Sequence, residues 1–131
     1  MIGLDTNILI RFLTRDDKAK SLRAAEIITE ECTEQNPGYI TSIVLTETVW
    51  TLSSYYKYSI EDIVKAIEAL LRAREINFEY PDATQYAYHI YANGLADFSD
   101  ALIGAIGKLN GCTYTLTFDK KASRLTEFKQ A

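Results

Sequence analysis

The chain has 131 residues, which is the size of one domain, and its 47% hydrophobic and 24% charged residues are typical of a globular protein. No apolar stretch approaches the roughly 20 residues of a membrane-spanning helix, and the first residues lack the features of a signal peptide, so we expect a cytoplasmic protein without a membrane partner. A single histidine and two distant cysteines argue against a zinc site and a histidine-based triad, and we expect both thiols to be reduced.

The net charge of −4 argues at first against a nucleic-acid partner, but the distribution of charge matters more than its sum. Of the 18 acidic residues, five are candidate site residues, which leaves 13 acids against 14 basic residues. Basic residues follow Asp5 between positions 11 and 23, and follow Asp119 between positions 120 and 124. We take Arg11 and Lys120 as candidate contacts to a nucleic acid. The alternative is that these clusters are solvated helix faces.

Short apolar runs predict four strands, and periodic stretches between them predict helices. The strands are expected at residues 2–5, 39–41, 76–78 and 114–117, and a fifth strand near the end of the chain is expected to be short or missing. Helices are expected at residues 7–13, 18–32, 42–58, 59–71, 82–92 and 97–109, with a short helix within 120–128.

This alternation predicts one α/β domain over residues 1–131, a three-layer α/β/α sandwich with a central, mostly parallel sheet of four to five strands. In such sheets, functional sites form beyond the carboxyl ends of the strands. Asp5 closes the first predicted strand and Asp119 follows the fourth, so both acids are expected at that edge. Each could instead cap the helix that follows it.

Glu47 shares a helical stripe with three apolar residues, Ile43, Val44 and Trp50. We interpret this stripe as facing the core, where a carboxylate costs free energy unless it is paired or binds a cation. The alternatives are a boundary residue that reaches water and a buried salt bridge to an arginine.

Asp97 and Asp100 lie three residues apart at the start of a predicted helix, so both carboxylates face one way. Asp97 is also the natural N-cap of that helix. The same face continues with Ala101 and Gly104, whose small size allows another part of the chain to approach closely.

Acids gathered at one edge repel each other unless a divalent cation is present. Oxygen ligands without histidine or cysteine favour Mg²⁺ or Mn²⁺ over zinc. Ions held in this way support hydrolysis at phosphorus. The candidate ligands are Asp5, Glu47, Asp97, Asp100 and Asp119.

Read together, four segments resemble the PIN-domain family of nucleases over nearly the whole chain. They are Leu4-Asp5-Thr6-Asn7, the stretch from Ser42 to Glu47, the stretch from Asp97 to Ile103, and Thr117-Phe118-Asp119. A lone Asp-Thr-Asn is weak evidence, whereas four segments in this order are specific.

The resemblance implies a role for each matching residue. Asp5, Glu47, Asp100 and Asp119 match the metal-binding, catalytic acids of the family, whereas the position of Asp97 is acidic only in some members. Thr6, Asn7 and Thr117 match polar positions that orient those carboxylates or the water.

Small single PIN domains are mostly VapC-type toxins, so the resemblance also implies partners. These are an RNA substrate cut at its phosphodiester bonds, an antitoxin of a type II toxin–antitoxin pair that covers the site, and a second copy of the chain in a homodimer.

Three other functions compete with a toxin ribonuclease. A PIN nuclease of RNA processing would have the same acids. A phospho-acceptor or metal-binding regulatory domain needs an acidic pair near the first strand, where this chain has one acid followed by Thr6 and Asn7. A catalytically silent binding module is disfavoured because the acid set is complete.

Overall fold

The computed structural model describes residues 1–131 and contains two compact units, Met1–Glu79 and Tyr80–Ala131. Both units combine helices with short parallel strands. None of the helices is both long and apolar enough to span a bilayer.

The first unit has three strands and four α-helices. In chain order they are β1 (Ile2–Gly3), α1 (Thr6–Thr14), α2 (Lys18–Glu26) with a π-helical turn (Ile27–Glu31), β2 (Gly38–Ile40), α3 (Ser42–Ser54), α4 (Ile60–Arg72) and β3 (Ile76–Phe78). The second unit has two α-helices and two strands. They are α5 (Pro81–Ala92), α6 (Phe98–Leu109), β4 (Thr115–Thr117), a 3₁₀ turn (Ala122–Arg124) and β5 (Phe128–Gln130).

All strand pairs are parallel, which confirms the predicted α/β class. In the first unit the order is β1-β2-β3, with Gly38 of β2 opposite both Ile2 and Ile76. In the second unit β4 pairs with β5, and Thr115 lies opposite Phe128. The doubtful fifth strand is therefore present, with three residues.

Side-chain caps fix where the helices of the first unit begin. Asp17 accepts a hydrogen bond from the Lys20 amide at 3.0 Å and starts α2. Ser59 accepts one from the Asp62 amide at 3.1 Å and starts α4, as the sequence predicted. An N-cap of this kind contributes about 0.5–2 kcal/mol.

The apolar stripes of the helices supply the core of each unit. Ile63 and Ile67 of α4 are fully buried in the first unit. In the second unit Phe98 is fully buried, and its ring meets that of Tyr91 edge to face at 6.1 Å.

The helix predicted over residues 18–32 differs from the observed one. α2 ends at Glu26, and the π-helical turn that follows ends with the Cys32 amide bonded to the Ile27 carbonyl at 2.9 Å. The sequence predicts one apolar stripe of Leu22, Ala25, Ile28 and Cys32. Ile28 and Cys32 are buried as predicted, but within α2 the buried residues are Ser21 and Ala24, while Leu22 is 64% exposed.

Candidate active site

Asp5 lies between β1 and α1, at the N-cap position of that helix. Its Oδ1 accepts a hydrogen bond from the Thr6 amide at 2.7 Å, so the expected capping contact is present. The residue is exposed, and Oδ2 makes no hydrogen bond within the protein. The carboxylate is therefore fixed through one oxygen and accessible through the other.

Glu47 projects from the exposed side of α3, so the core-facing interpretation was wrong. Ile43 and Trp50, which share its stripe, are 78% and 67% exposed. The buried side carries Leu45, Thr48, Val49 and Leu52. Because the hydroxyl of Thr48 donates to the Val44 carbonyl of its own helix at 2.7 Å, a polar residue can lie on the buried face, which the apolar spacing did not reveal.

Thr6 joins the two carboxylates of the first unit. Its side chain is buried, and Oγ1 donates a hydrogen bond to Oε1 of Glu47. Its amide donates to Asp5, so one residue holds both acids through two different groups. Asn7, the next residue of α1, is exposed.

Asp97 and Asp100 lie at the start of α6 in the second unit. Asp97 occupies the N-cap position, but its side chain makes no capping hydrogen bond, so the capping alternative fails there. Asp100 is half-buried in the first turn. Burial raises the pKa of the Asp100 carboxyl, and the negative charges of Asp119 and Asp97 raise it further.

Asp119 follows β4 and lies three residues before the first residue of the 3₁₀ turn. Its Oδ1 accepts a hydrogen bond from the Ala122 amide at 2.8 Å, and its own amide donates to Oγ1 of Thr117 at 3.0 Å. Thr117 thus fixes the backbone that carries Asp119, while Oδ2 of Asp119 makes no hydrogen bond within the protein.

The donor chemistry of these side chains fits a hard divalent cation, because all of them are carboxylates. Burial is the main cause of the raised pKa of Asp100, and the negative charges of Asp119 and Asp97, which a cation would neutralise, add to it. No three histidine, cysteine, aspartate or glutamate side chains converge closely enough to form a metal-binding group. The structure thus provides carboxylate oxygens as donors, but no three of these side chains are close enough together to enclose an ion.

Ion pairs involve five of the 13 acids outside the candidate set, so eight other acids also lack a basic partner. The ion pairs of the chain involve Asp16, Glu26, Glu31, Glu34 and Glu68. None of the five candidate acids pairs with a lysine or an arginine.

Of the two basic candidates, Arg11 lies on α1 and pairs with Asp16 through Nη1 at 2.9 Å. Lys120 is exposed and makes no ion pair. Sequence reasoning missed the partners of Arg11, since Asp16 is also bonded by the Tyr56 hydroxyl at 2.7 Å, across 40 residues. The charged break at Arg15-Asp16-Asp17 was visible, but not its long-range contact.

Comparison with known proteins agrees with the resemblance. The profile of the PIN domain family matches residues 2–127. The chain is 25% identical over 123 residues to a VapC ribonuclease of Aquifex aeolicus (strain VF5), which covers 93% of this chain and 90% of that protein. The family match spans nearly the whole sequence and includes every candidate acid. The chain therefore belongs to the PIN domain family.

Proposed function

We propose that this chain is a Mg²⁺- or Mn²⁺-dependent endoribonuclease and the toxin of a type II toxin–antitoxin pair. The observation that carries the proposal is that the family match over residues 2–127 includes all five candidate acids, none of which is in an ion pair. Acids left without a basic partner remain available to a metal ion. The likeness to a VapC ribonuclease supports RNA as the substrate.

We assign the role of metal ligand to Asp5, Glu47, Asp100 and Asp119, with Asp97 as a further acid beside Asp100. Three of the four ligands share one arrangement. A hydrogen bond within the protein holds one carboxylate oxygen of Asp5, of Glu47 and of Asp119, and the other oxygen has no partner in the protein. Capping and metal binding therefore do not compete, because each function uses a different oxygen.

A Mg²⁺ or Mn²⁺ ion, when bound, activates water and stabilises charge that develops on the phosphate. The protein contributes by holding its carboxylates in place before the substrate arrives. Thr6 fixes Asp5 and Glu47, while Thr117 and the Ala122 amide fix Asp119. Such positioning avoids reorganisation during the reaction. Asn7, exposed beside Thr6, is assigned to orient the carboxylates or the water.

The test is cleavage of an end-labelled single-stranded RNA by purified protein with Mg²⁺, Mn²⁺ or EDTA. We expect cutting with either metal and none in EDTA, and we expect Asp100→Asn to abolish it. The matched control is Glu61→Gln, which removes an exposed acid from α4 and should cut as the wild type does. Cutting that persists in EDTA, or in Asp100→Asn, would contradict the proposed chemistry.

The toxin assignment has its own test. Expression should arrest growth, and co-expression of the cognate antitoxin should relieve the arrest. We also expect the purified chain to be a homodimer. In the cell, we expect the protein in the cytoplasm. A nuclease that cuts RNA without arresting growth would instead be a PIN enzyme of RNA processing.

A further inference from the structure

We propose that a small basic pocket between α1 and α2 binds a backbone phosphate of the RNA next to the cleaved bond. This inference rests on the proposed ribonuclease function. The pocket has a volume of about 250 Å³, and its lining residues are Asn7, Ile8, Arg11, Lys20, Arg23 and Ala24.

The residues that line the pocket carry positive charge only, and the acids that pair with Arg11 and Arg23 lie outside the lining. Three of the six residues are basic and none is acidic, although the chain as a whole carries a net charge of −4. Ile8 and Ala24 add apolar wall, which lowers the local dielectric and strengthens the attraction between the cations and an anion. A volume of about 250 Å³ lies below the range of pockets that hold drug-sized ligands, and it has room for a phosphate group.

Arg11 is held in place by one ion pair and keeps hydrogen-bond donors that have no partner. Its Nη1 pairs with Asp16, and the remaining guanidinium nitrogens make no hydrogen bond in the protein. Asp16 is itself fixed by the Tyr56 hydroxyl at 2.7 Å and lies 3.1 Å from the Thr14 hydroxyl. A guanidinium fixed on one side presents its free N–H groups to a phosphate with little further loss of entropy.

The two basic residues of α2 complete the pocket. Arg23 contacts Glu26 and Glu31 through Nη1 alone, so its other nitrogens remain free. The ammonium of Lys20 makes no ion pair, and the Lys20 backbone is anchored by the Asp17 cap. Lys20 thus contributes an uncompensated positive charge.

The position on α1 connects this pocket to the proposed cutting site. Asn7 lines the pocket and lies two residues after Asp5, and Arg11 lies one turn further along the same face. One turn corresponds to about 5.4 Å along the helix axis. An RNA strand with a phosphate at Asp5 would therefore pass its next phosphate over this pocket, which favours RNA over a protein carboxylate as the occupant.

The experiment measures the affinity for a fluorescein-labelled single-stranded RNA by anisotropy in EDTA, where cutting is absent, at several salt concentrations. Lys20→Gln should weaken binding equally for RNAs of different sequence and reduce the slope of log K against log salt by about 0.7, the contribution of one phosphate of a single strand. Arg11→Lys keeps the charge, so the slope should stay while the affinity falls. Lys65→Gln, which removes an exposed lysine of α4, is the control and should bind like the wild type.

The outcomes separate this inference from the function on which it rests. A wild type that cuts RNA, together with Lys20→Gln and Arg11→Lys proteins that melt and bind normally, would overturn the phosphate pocket and leave the ribonuclease intact. Variants that bind RNA normally but no longer bind the antitoxin would overturn it in favour of a protein site. If these variants bind RNA more weakly and the wild type never cuts RNA, the results would support the pocket and contradict the nuclease.

Discussion

The buried hydroxyl of Thr6 donates a hydrogen bond to the carboxylate of Glu47, and this contact joins α1 to α3 across 41 residues. The amide of the same threonine bonds to Asp5 at 2.7 Å. Two acids from distant parts of the sequence are thus positioned by one residue. A threonine supplies both a backbone and a side-chain donor, and its buried location restricts the motion of both.

We expect Thr6→Val to lower the kcat/KM of RNA cleavage by about 10–100-fold, the usual effect of losing a residue that orients a metal ligand. Valine keeps the shape of the side chain and the hydrogen bond from the backbone amide to Asp5, but its side chain cannot donate to Glu47. Thr6→Ser should restore most of the activity. Thr48→Val makes the same change at a buried threonine that bonds only within α3, and should leave kcat/KM near the wild-type value. Equal losses in both valine variants would mean that the effect is general destabilisation.

Asp5→Asn should abolish cleavage and leave the melting temperature near or above that of the wild type. Asparagine still accepts the bond from the Thr6 amide, while the negative charge is lost. Asp5→Ala, which also loses that bond, should lower the free energy of unfolding by about 0.5–2 kcal/mol. Cleavage assays paired with thermal melts would decide the matter, and unfolding of the asparagine variant would make Asp5 purely structural.

Local sequence signals predicted much of the fold. The runs around Ile2, Ile40 and Ile76 are short, apolar and bounded by breaks, and each became a parallel strand. Ser59, with Asp62 three residues later, placed the start of α4 correctly because a cap depends only on neighbouring residues.

The errors arose where the outcome depends on packing. On α3, apolar residues occupy two stripes, and periodicity cannot decide which of them faces the core; the buried one includes Thr48, while Trp50 is exposed. The contact between Tyr56 and Asp16 joins residues 40 positions apart, and no local pattern encodes it. The candidate acids were found from motif order, a signal that does not require the packing to be known.

Metal binding should be visible in stability. Saturating Mn²⁺, at about 100 times its dissociation constant, should stabilise the folded wild type by about 2.7 kcal/mol and raise its melting temperature. Asp119→Asn should lose this increase. In EDTA it should melt slightly above the wild type, because asparagine keeps the cap on Ala122 and the repulsion with Asp100 is relieved. Differential scanning fluorimetry measures both effects, and an undiminished Mn²⁺ shift in the variant would remove Asp119 from the ligand set.

Stability at low pH should report on Asp16. The hydrogen bond from Tyr56 is the main reason that the pKa of Asp16 falls to about 2, with further lowering by Arg11 and Thr14. Because the folded pKa lies below the ordinary value of 3.8, the stabilising contribution is present above about pH 4 and is lost as the pH falls towards 2. Asp16→Asn should therefore melt below the wild type at pH 7, with a difference that shrinks between pH 4 and 2. A difference in melting temperature that is independent of pH would show that the carboxylate charge has no part in it. In a Tyr56→Phe background, the difference caused by Asp16→Asn should be smaller.

The last prediction concerns the contact between α6 and β5. A Cβ added at Gly104 would lie 2.5 Å from Cε2 of Phe128 and 3.0 Å from Cβ of Glu127. Alanine gains up to about 1 kcal/mol of helix propensity, but overpacking a buried contact costs about 1–3 kcal/mol. Since the Phe128 ring is buried and the Glu127 atom lies next to the backbone, neither can move away freely, and Gly104→Ala should lower the free energy of unfolding. Phe128→Leu removes the clashing ring atom, so in chemical denaturation it should cost less in the alanine background than in the wild type. Additive effects of the two substitutions would show that the helix and the strand accommodate the methyl group elsewhere.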